Sequence, residues 1–201
     1  NENDSVYEMA QTLFDGEGVD GPVALAEAAN SLRCFYKLAN LGVDFPTDEY
    51  GIFTGYKTDH DPRQRATSAG PLTSRYMTEA LEKSVNKKEI SILNELLAFQ
   101  IYEEDHKLCG LVCLNKEKLS DDQLELVVIA VNNVIWCTGG PSACYKNVVY
   151  PAGHTGMSGA LLDAGVCGAN LQEWQYGLAS IKFRWNVSGT YQQVLPRYVS
   201  I

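Results

Sequence analysis

The spacing of the apolar residues changes at Lys87 and Lys88, and that change constrains the fold more than any other feature of the chain. Before it the pattern is helical. Residues 4–13 have helical character, and Pro22 opens a clearer helix in which Leu25, Ala29, Leu32, Tyr36 and Ala39 recur at alternating spacings of four and three. Gly42 is well placed to end it. A third helix is predicted to start near Pro71 or Leu72 and to run to about Val85. Between them, residues 44–70 are rich in Pro, Gly, Asp and Thr and too long for a plain connection, so they read as a functional loop or a covering.

After the two lysines the apolar residues come in short runs. These are Ile90, Ile92 and Leu93; then Leu97, Phe99 and Ile101; then Leu108, Leu111, Val112 and Leu114; and finally residues 124–131. Charged or polar turns separate them, including Glu103-Glu104-Asp105-His106-Lys107, and together they suggest an antiparallel meander. Residues 134–137 are wholly apolar, as expected of a short strand buried on both faces of a sheet, and lead directly into Thr138-Gly139-Gly140. Residues 155–165 suit a helix of small residues. The expected fold class is α/β, locally α+β: helices packed on a small mixed sheet that includes an antiparallel meander. No repeat or linker divides the chain, which reads as a single partial domain whose main body is residues 1–165, running into a further region at 166–201.

Composition narrows the function classes. With 201 residues and 45% hydrophobic side chains, the chain can bury an ordinary core. No apolar run reaches the ~18 residues a membrane span needs, so no membrane segment is expected. A net charge of −9, with the acids spread along the chain, argues against nucleic acid, whose phosphates require clustered Lys and Arg. The six cysteines have no paired CxxC spacing, so they read as buried free thiols, with no metal site and a cytoplasmic location as the default.

Two glycine patterns point in different directions. Gly16-Glu17-Gly18-Val19-Asp20-Gly21 is a literal GxGxxG, yet what precedes it is helical where a dinucleotide fingerprint needs a buried strand. Glu17 and Asp20 would also set two negative charges against a pyrophosphate. It therefore reads as a turn between helices. Val134-Ile135-Trp136-Cys137-Thr138-Gly139-Gly140 is more informative, because small residues at the carboxyl end of a buried strand let a ligand approach the main chain. Other constellations carry less. Asp59, His60 and Asp61 lie together, but no GxSxG supplies a hydrolase nucleophile. His154 in its loop and Phe183-Arg184-Trp185 are explained as well by backbone bonding and by packing.

The order of these features resembles the FAD-dependent oxidoreductase 2 family, which contains fumarate reductases and succinate dehydrogenase flavoproteins. VIWCTGG at 134–140 is similar to the family's V-I-L-A-T-G-G, and residues 155–165 to its T-G-D-G-x-x-M-A-x-x-A-G-A. Residues 173–180 can be laid against E-F-V-Q-F-H-P-T, and residues 41–45 against L-G-V-x-F. His60-Asp61-Pro62-Arg63 resembles H-x-x-R. Two departures from the pattern matter most: Met157 and Ser158 replace Asp-Gly, and Tyr176 and Leu178 replace Gln and His.

The resemblance implies hydride transfer between FAD and a small organic substrate. It implies flavin contacts at Thr138, Gly139, Gly140, Thr155 and Gly156, and substrate contacts at His60, Arg63, Glu173 and Tyr176. It also implies that the chain is an internal part of a longer flavoprotein, inactive alone. The ADP-binding strand-glycine-helix unit is not among its motifs, so FAD is not expected to be retained by this chain, and apolar surface left uncovered is expected to drive self-association. The alternative is a non-catalytic structural or interaction domain derived from the same framework.

Overall fold

The computed structural model describes residues 3–58, 61–140, 146, 154, 156–171, 197 and 199. Two compact units divide between Ser91 and Ile92.

The first unit is helical, and local caps set its boundaries. Helix α1 (Val6–Asp15) starts where the Ser5 hydroxyl accepts a hydrogen bond from the Glu8 amide at 3.1 Å. Helix α2 (Gly21–Asn40) starts where Asp20 accepts from the Val23 amide, with Pro22 in its first turn. The Gly16 to Gly21 pattern is thus a helix-to-helix turn, as the sequence suggests: Gly16 caps α1 and Asp20 caps α2. Gly42, at φ +97°, ends α2. Its amide donates to Ala39 O and that of Val43 to Leu38 O, the pair of bonds that closes a left-handed helix end.

Helices α1 and α2 pack together, and the small buried residues Ala24 and Ala28, one turn apart, let α2 approach its neighbours closely. Beyond α2, Val43 and Phe45 are buried, and Phe35 stacks against Tyr36, Phe45 and Phe53 with centroids 4.9–5.5 Å apart. The long loop is pinned by isolated bridges, Thr47 to Phe53 and Tyr56 to Ala66. At Gly55 a Cβ would collide with the Gln64 carbonyl, so that approach of backbone to backbone requires glycine. Helix α3 (Thr73–Asn86) follows.

The second unit is built on the predicted meander. Strands β1 (Leu96–Glu104), β2 (Lys107–Asn115) and β3 (Leu126–Ala130) form an antiparallel sheet in the order β1-β2-β3. Asp105 and His106, both at positive φ, make the two-residue β1–β2 turn, whose twist matches that of the strands. Gly110 pairs with Ala130, and a Cβ on it would lie 2.5 Å from Ile129 O.

The register puts Leu97, Leu114 and Leu126 on one face together with Val112 and Val128. On this face Leu97, Leu126 and Val128 are exposed. The other face carries Ala98, Cys113 and Val127, with Leu111 and Ile129. Cys113, 2% exposed, is its buried centre, and burial raises its thiol pKa. Helix α4 (Ser158–Asp163) contacts β1 and buries Ala160. Gly165, at φ +82°, ends it with the same pair of bonds seen after α2.

Three expectations are corrected. Residues 90–93 form no strand. Residues 134–140 run without a ladder partner among the described residues, and Ile135 is 89% exposed rather than buried on both faces. An apolar run encodes a tendency to be covered, whereas a strand also needs a neighbour to take its backbone hydrogen bonds. Finally, the described cysteines are free but mostly not buried: Cys34, Cys137 and Cys167 are exposed. Apolar neighbours in sequence do not place a side chain inside.

Candidate functional site

In the second unit the fold brings the two glycine segments singled out by the sequence onto one carbonyl. The Gly156 carbonyl oxygen accepts a hydrogen bond from the Thr138 hydroxyl and another, at 3.2 Å, from the Trp136 indole Nε1. Trp136 and Thr138 are two residues apart, so on extended backbone their side chains leave on the same side. Gly156 is buried at φ +66°, and a Cβ there would lie 2.6 Å from Gly139 O and 2.7 Å from Gly140 C. Glycine is thus required at 156 by both conformation and space. Gly139, at φ +76°, lies under the His154 imidazole, whose Nε2 would be 2.9 Å from an added Cβ. The outcome is an exposed stretch of main chain, Thr138-Gly139-Gly140, locked from behind.

Of the five positions expected to touch cofactor, Thr138, Gly139, Gly140 and Gly156 therefore form one cluster. Thr155 lies outside the described residues. Trp136 and His154 belong to the same cluster. Trp136 was legible only as an apolar strand residue, and its donor role becomes apparent once Gly156 stands opposite. Met157, at the position of the family's Asp, begins α4 in a left-handed conformation, φ 50° and ψ 29°. Ser158 is the first residue of α4.

The positions expected to touch substrate are not assembled in this way. His60, Glu173, Tyr176 and Leu178 lie outside the described residues. Arg63, in the first unit, grips Glu8 of α1 with both prongs of its guanidinium, at 2.7 and 3.1 Å. Arg65, which the sequence reading passed over, is the more deeply held: its side chain is 10% exposed. It bonds both oxygens of Asp4 at 2.8 Å, Asp61 at 2.9 Å and the Thr12 hydroxyl at 3.1 Å. The hydrogen bond from Arg65 holds the Asp4 carboxyl below its usual pKa, and that from Arg63 does the same for Glu8. The Arg65 pKa is raised in turn, chiefly by Asp4. A spacing of two between the arginines is the one signal that could have flagged both, since it puts them on one side of an extended segment.

Among the described residues no cluster of His, Cys, Asp and Glu is arranged to hold a metal ion, and no helix is long and apolar enough to cross a membrane.

No family model and no curated protein sequence matches the chain. Solved structures do. A variant of the FrdA chain of Escherichia coli quinol fumarate reductase aligns with a TM-score of 0.70 and 20% identity, covering 81% of this chain and 28% of that one. A Mycobacterium smegmatis succinate dehydrogenase in complex with a ubiquinone gives 0.62 and 16% identity over 73% of this chain and 26% of that one. The open conformation of a flavocytochrome c3 fumarate reductase gives 0.57 and 17% identity over 70% and 24%. The fold is therefore that of a fragment of these flavoproteins, mixed α/β with a three-stranded antiparallel sheet, and the chain spans about a quarter of their length.

Proposed function

We propose that the chain is an internal part of an FAD-dependent oxidoreductase and that the turn at residues 138–140, backed by Gly156, forms one wall of the flavin pocket. The observation that carries this reading is the convergence of Trp136 and Thr138 on the Gly156 carbonyl. It joins the two segments that resemble the family's flavin-contacting motifs, in a chain with the fold of flavoprotein fragments. The residues suit the group. Thr138, Gly139 and Gly140 are exposed, and two of the three lack a Cβ, so a planar ring system can come close to the main chain.

Thr138, Gly139, Gly140 and Gly156, with Thr155 by resemblance, would hold the flavin. Bound FAD supplies the hydride chemistry, and the protein's part is to orient the ring and exclude water. His60, Arg63, Glu173 and Tyr176 are proposed on the substrate side, by resemblance. Arg63 is already paired with Glu8, so an anionic substrate there must compete with that carboxylate.

The substrate is proposed to be less acidic than fumarate, because Leu178 stands where the family's substrate-binding histidine would be and offers no donor. A carboxylate without that bond binds about ten- to a hundredfold more weakly.

The test is flavin content of the full-length protein that carries this segment, read from visible absorbance after exhaustive washing. About one flavin per chain is expected, with sharply lower occupancy in Gly156→Val. A colourless protein that stays colourless after incubation with FAD overturns the proposal. Fumarate turnover comparable to that of a true fumarate reductase overturns the reading of Leu178.

A further inference from the structure

We infer that Trp136 is a positioning residue for the cofactor wall: its indole N–H holds the Gly156 carbonyl, and with it the left-handed pair Gly156 and Met157, whether or not Thr138 is engaged elsewhere. The inference rests on the flavin reading for its functional consequence, though its structural half stands independently. The Gly156 carbonyl belongs to the peptide plane linking Gly156 to Met157, so fixing its direction fixes ψ of one residue and φ of the next. Both residues are left-handed, at φ 66° and 50°. Glycine tolerates this and methionine does not favour it, because its Cβ crowds the backbone there. No side-chain cap stabilises the start of α4 at Met157. What holds the plane is external: two donors on one oxygen, from Trp136 at 3.2 Å and from Thr138.

The two donors differ in what else they can do. Thr138 is exposed and carries a rotatable hydroxyl, so a bound ligand can draw its proton away. The indole N–H is donor only, on a half-buried ring, and has no such freedom. Trp136 thus keeps the carbonyl in place when Thr138 turns outward, and Gly156 in turn backs Gly139 and Gly140. The resembled family has an apolar residue at this position, and the two differences, an indole at 136 and a left-handed methionine at 157, meet at one peptide plane.

The test compares Trp136→Phe, which keeps a ring and removes the donor, with Trp136→His, which returns an N–H at a similar reach. Two readouts are taken on the full-length protein: amide hydrogen exchange over residues 156–163, and the flavin dissociation constant. The expected result is faster exchange in the Phe variant and flavin binding weakened about fivefold, the factor associated with one neutral hydrogen bond, with both moved back toward wild type in the His variant. Unchanged exchange in the Phe variant overturns the inference, as does a His variant no better than Phe. Wild-type protein that binds no flavin, with exchange following the expected pattern, refutes the flavin reading and leaves the positioning role supported.

Discussion

The two units hold their irregular segments by different means. In the first, residues 61–65 are tied to α1 and the residue before its cap by charge: Arg63 pairs with Glu8 and Arg65 with Asp4, while Asp61 of the same segment also pairs with Arg65. In the second, residues 136–140 are tied to Gly156 by neutral hydrogen bonds and by backbone contact that excludes any side chain. The contrast follows from side-chain reach. Long arginine side chains reach across 53 to 61 residues of sequence separation and tolerate solvent around their carboxylates. The glycine turn has no side-chain reach, so it depends on main-chain fit. Charge can be weakened gradually by pH or salt, whereas steric fit fails at the first added methyl.

The largest expected effect is at Gly156→Val. It forces a β-branched residue to positive φ and drives Cβ into Gly139 and Gly140, where only backbone can give way. We expect a loss of about 3 kcal/mol or more from left-handed strain plus overpacking, measured by urea unfolding. A loss below about 1 kcal/mol would mean that the two segments are not in contact in solution.

Next is Arg65→Met. Removing a guanidinium that is 10% exposed strands Asp4 and Asp61, whose side chains are 30% and 17% exposed, so the cost is discounted from the buried-pair range to about 2 kcal/mol. Arg65→Lys is expected to recover little, since an ammonium cannot make the paired bonds to Asp4. The same substitution flattens the pH dependence. The folded-state pKa values of Asp4 and Glu8 lie below their ordinary values of 3.8 and 4.5, so their contribution is fully present above about pH 5 and is lost as pH falls through and below that range. Acid unfolding of wild type followed from pH 6 to pH 2 should therefore be steeper than that of Arg65→Met. Equal slopes would show that the arginine network carries no linkage.

Gly139→Ala is expected to cost less than Gly156→Val, about 1 kcal/mol. The strain of positive φ remains, but the atom in the way belongs to the His154 side chain rather than to backbone. A cost as large as that at 156 would show that the imidazole is fixed. The smallest effect is at Arg75→Ala, which removes an i,i+4 pair with Glu79 on the open face of α3, both side chains being more than half exposed. No measurable shift in melting temperature is expected, and a clear one would count against exposure as what separates this pair from that of Arg65.

Most secondary structure was legible because its signals are local. Pro22 announces α2 and Gly42 closes it; Asp105 and His106 sit between two apolar runs of strand spacing. At the candidate site, Thr138, Gly139, Gly140 and Gly156 were readable as two small-residue segments, though nothing in the chain's order says that they touch. Arg65 was missed because its partners Asp4 and Thr12 are 61 and 53 residues away. The apolar run at 134–137 was misread for the same reason: burial and strand pairing belong to what lies beside a segment, and Ile135 is exposed.

The sequence by itself therefore determined the three long helices, the meander and the end of α2 at Gly42, since apolar period and glycine's missing Cβ act over a few residues. Tertiary structure alone decided that Trp136 and Thr138 share the Gly156 carbonyl, that Arg63 and Arg65 are committed to α1, and that one face of the sheet is left with Leu126 and Val128 exposed. Each of these is a meeting of groups distant along the chain, and chain closure over such separations leaves no periodic trace for a sequence to carry.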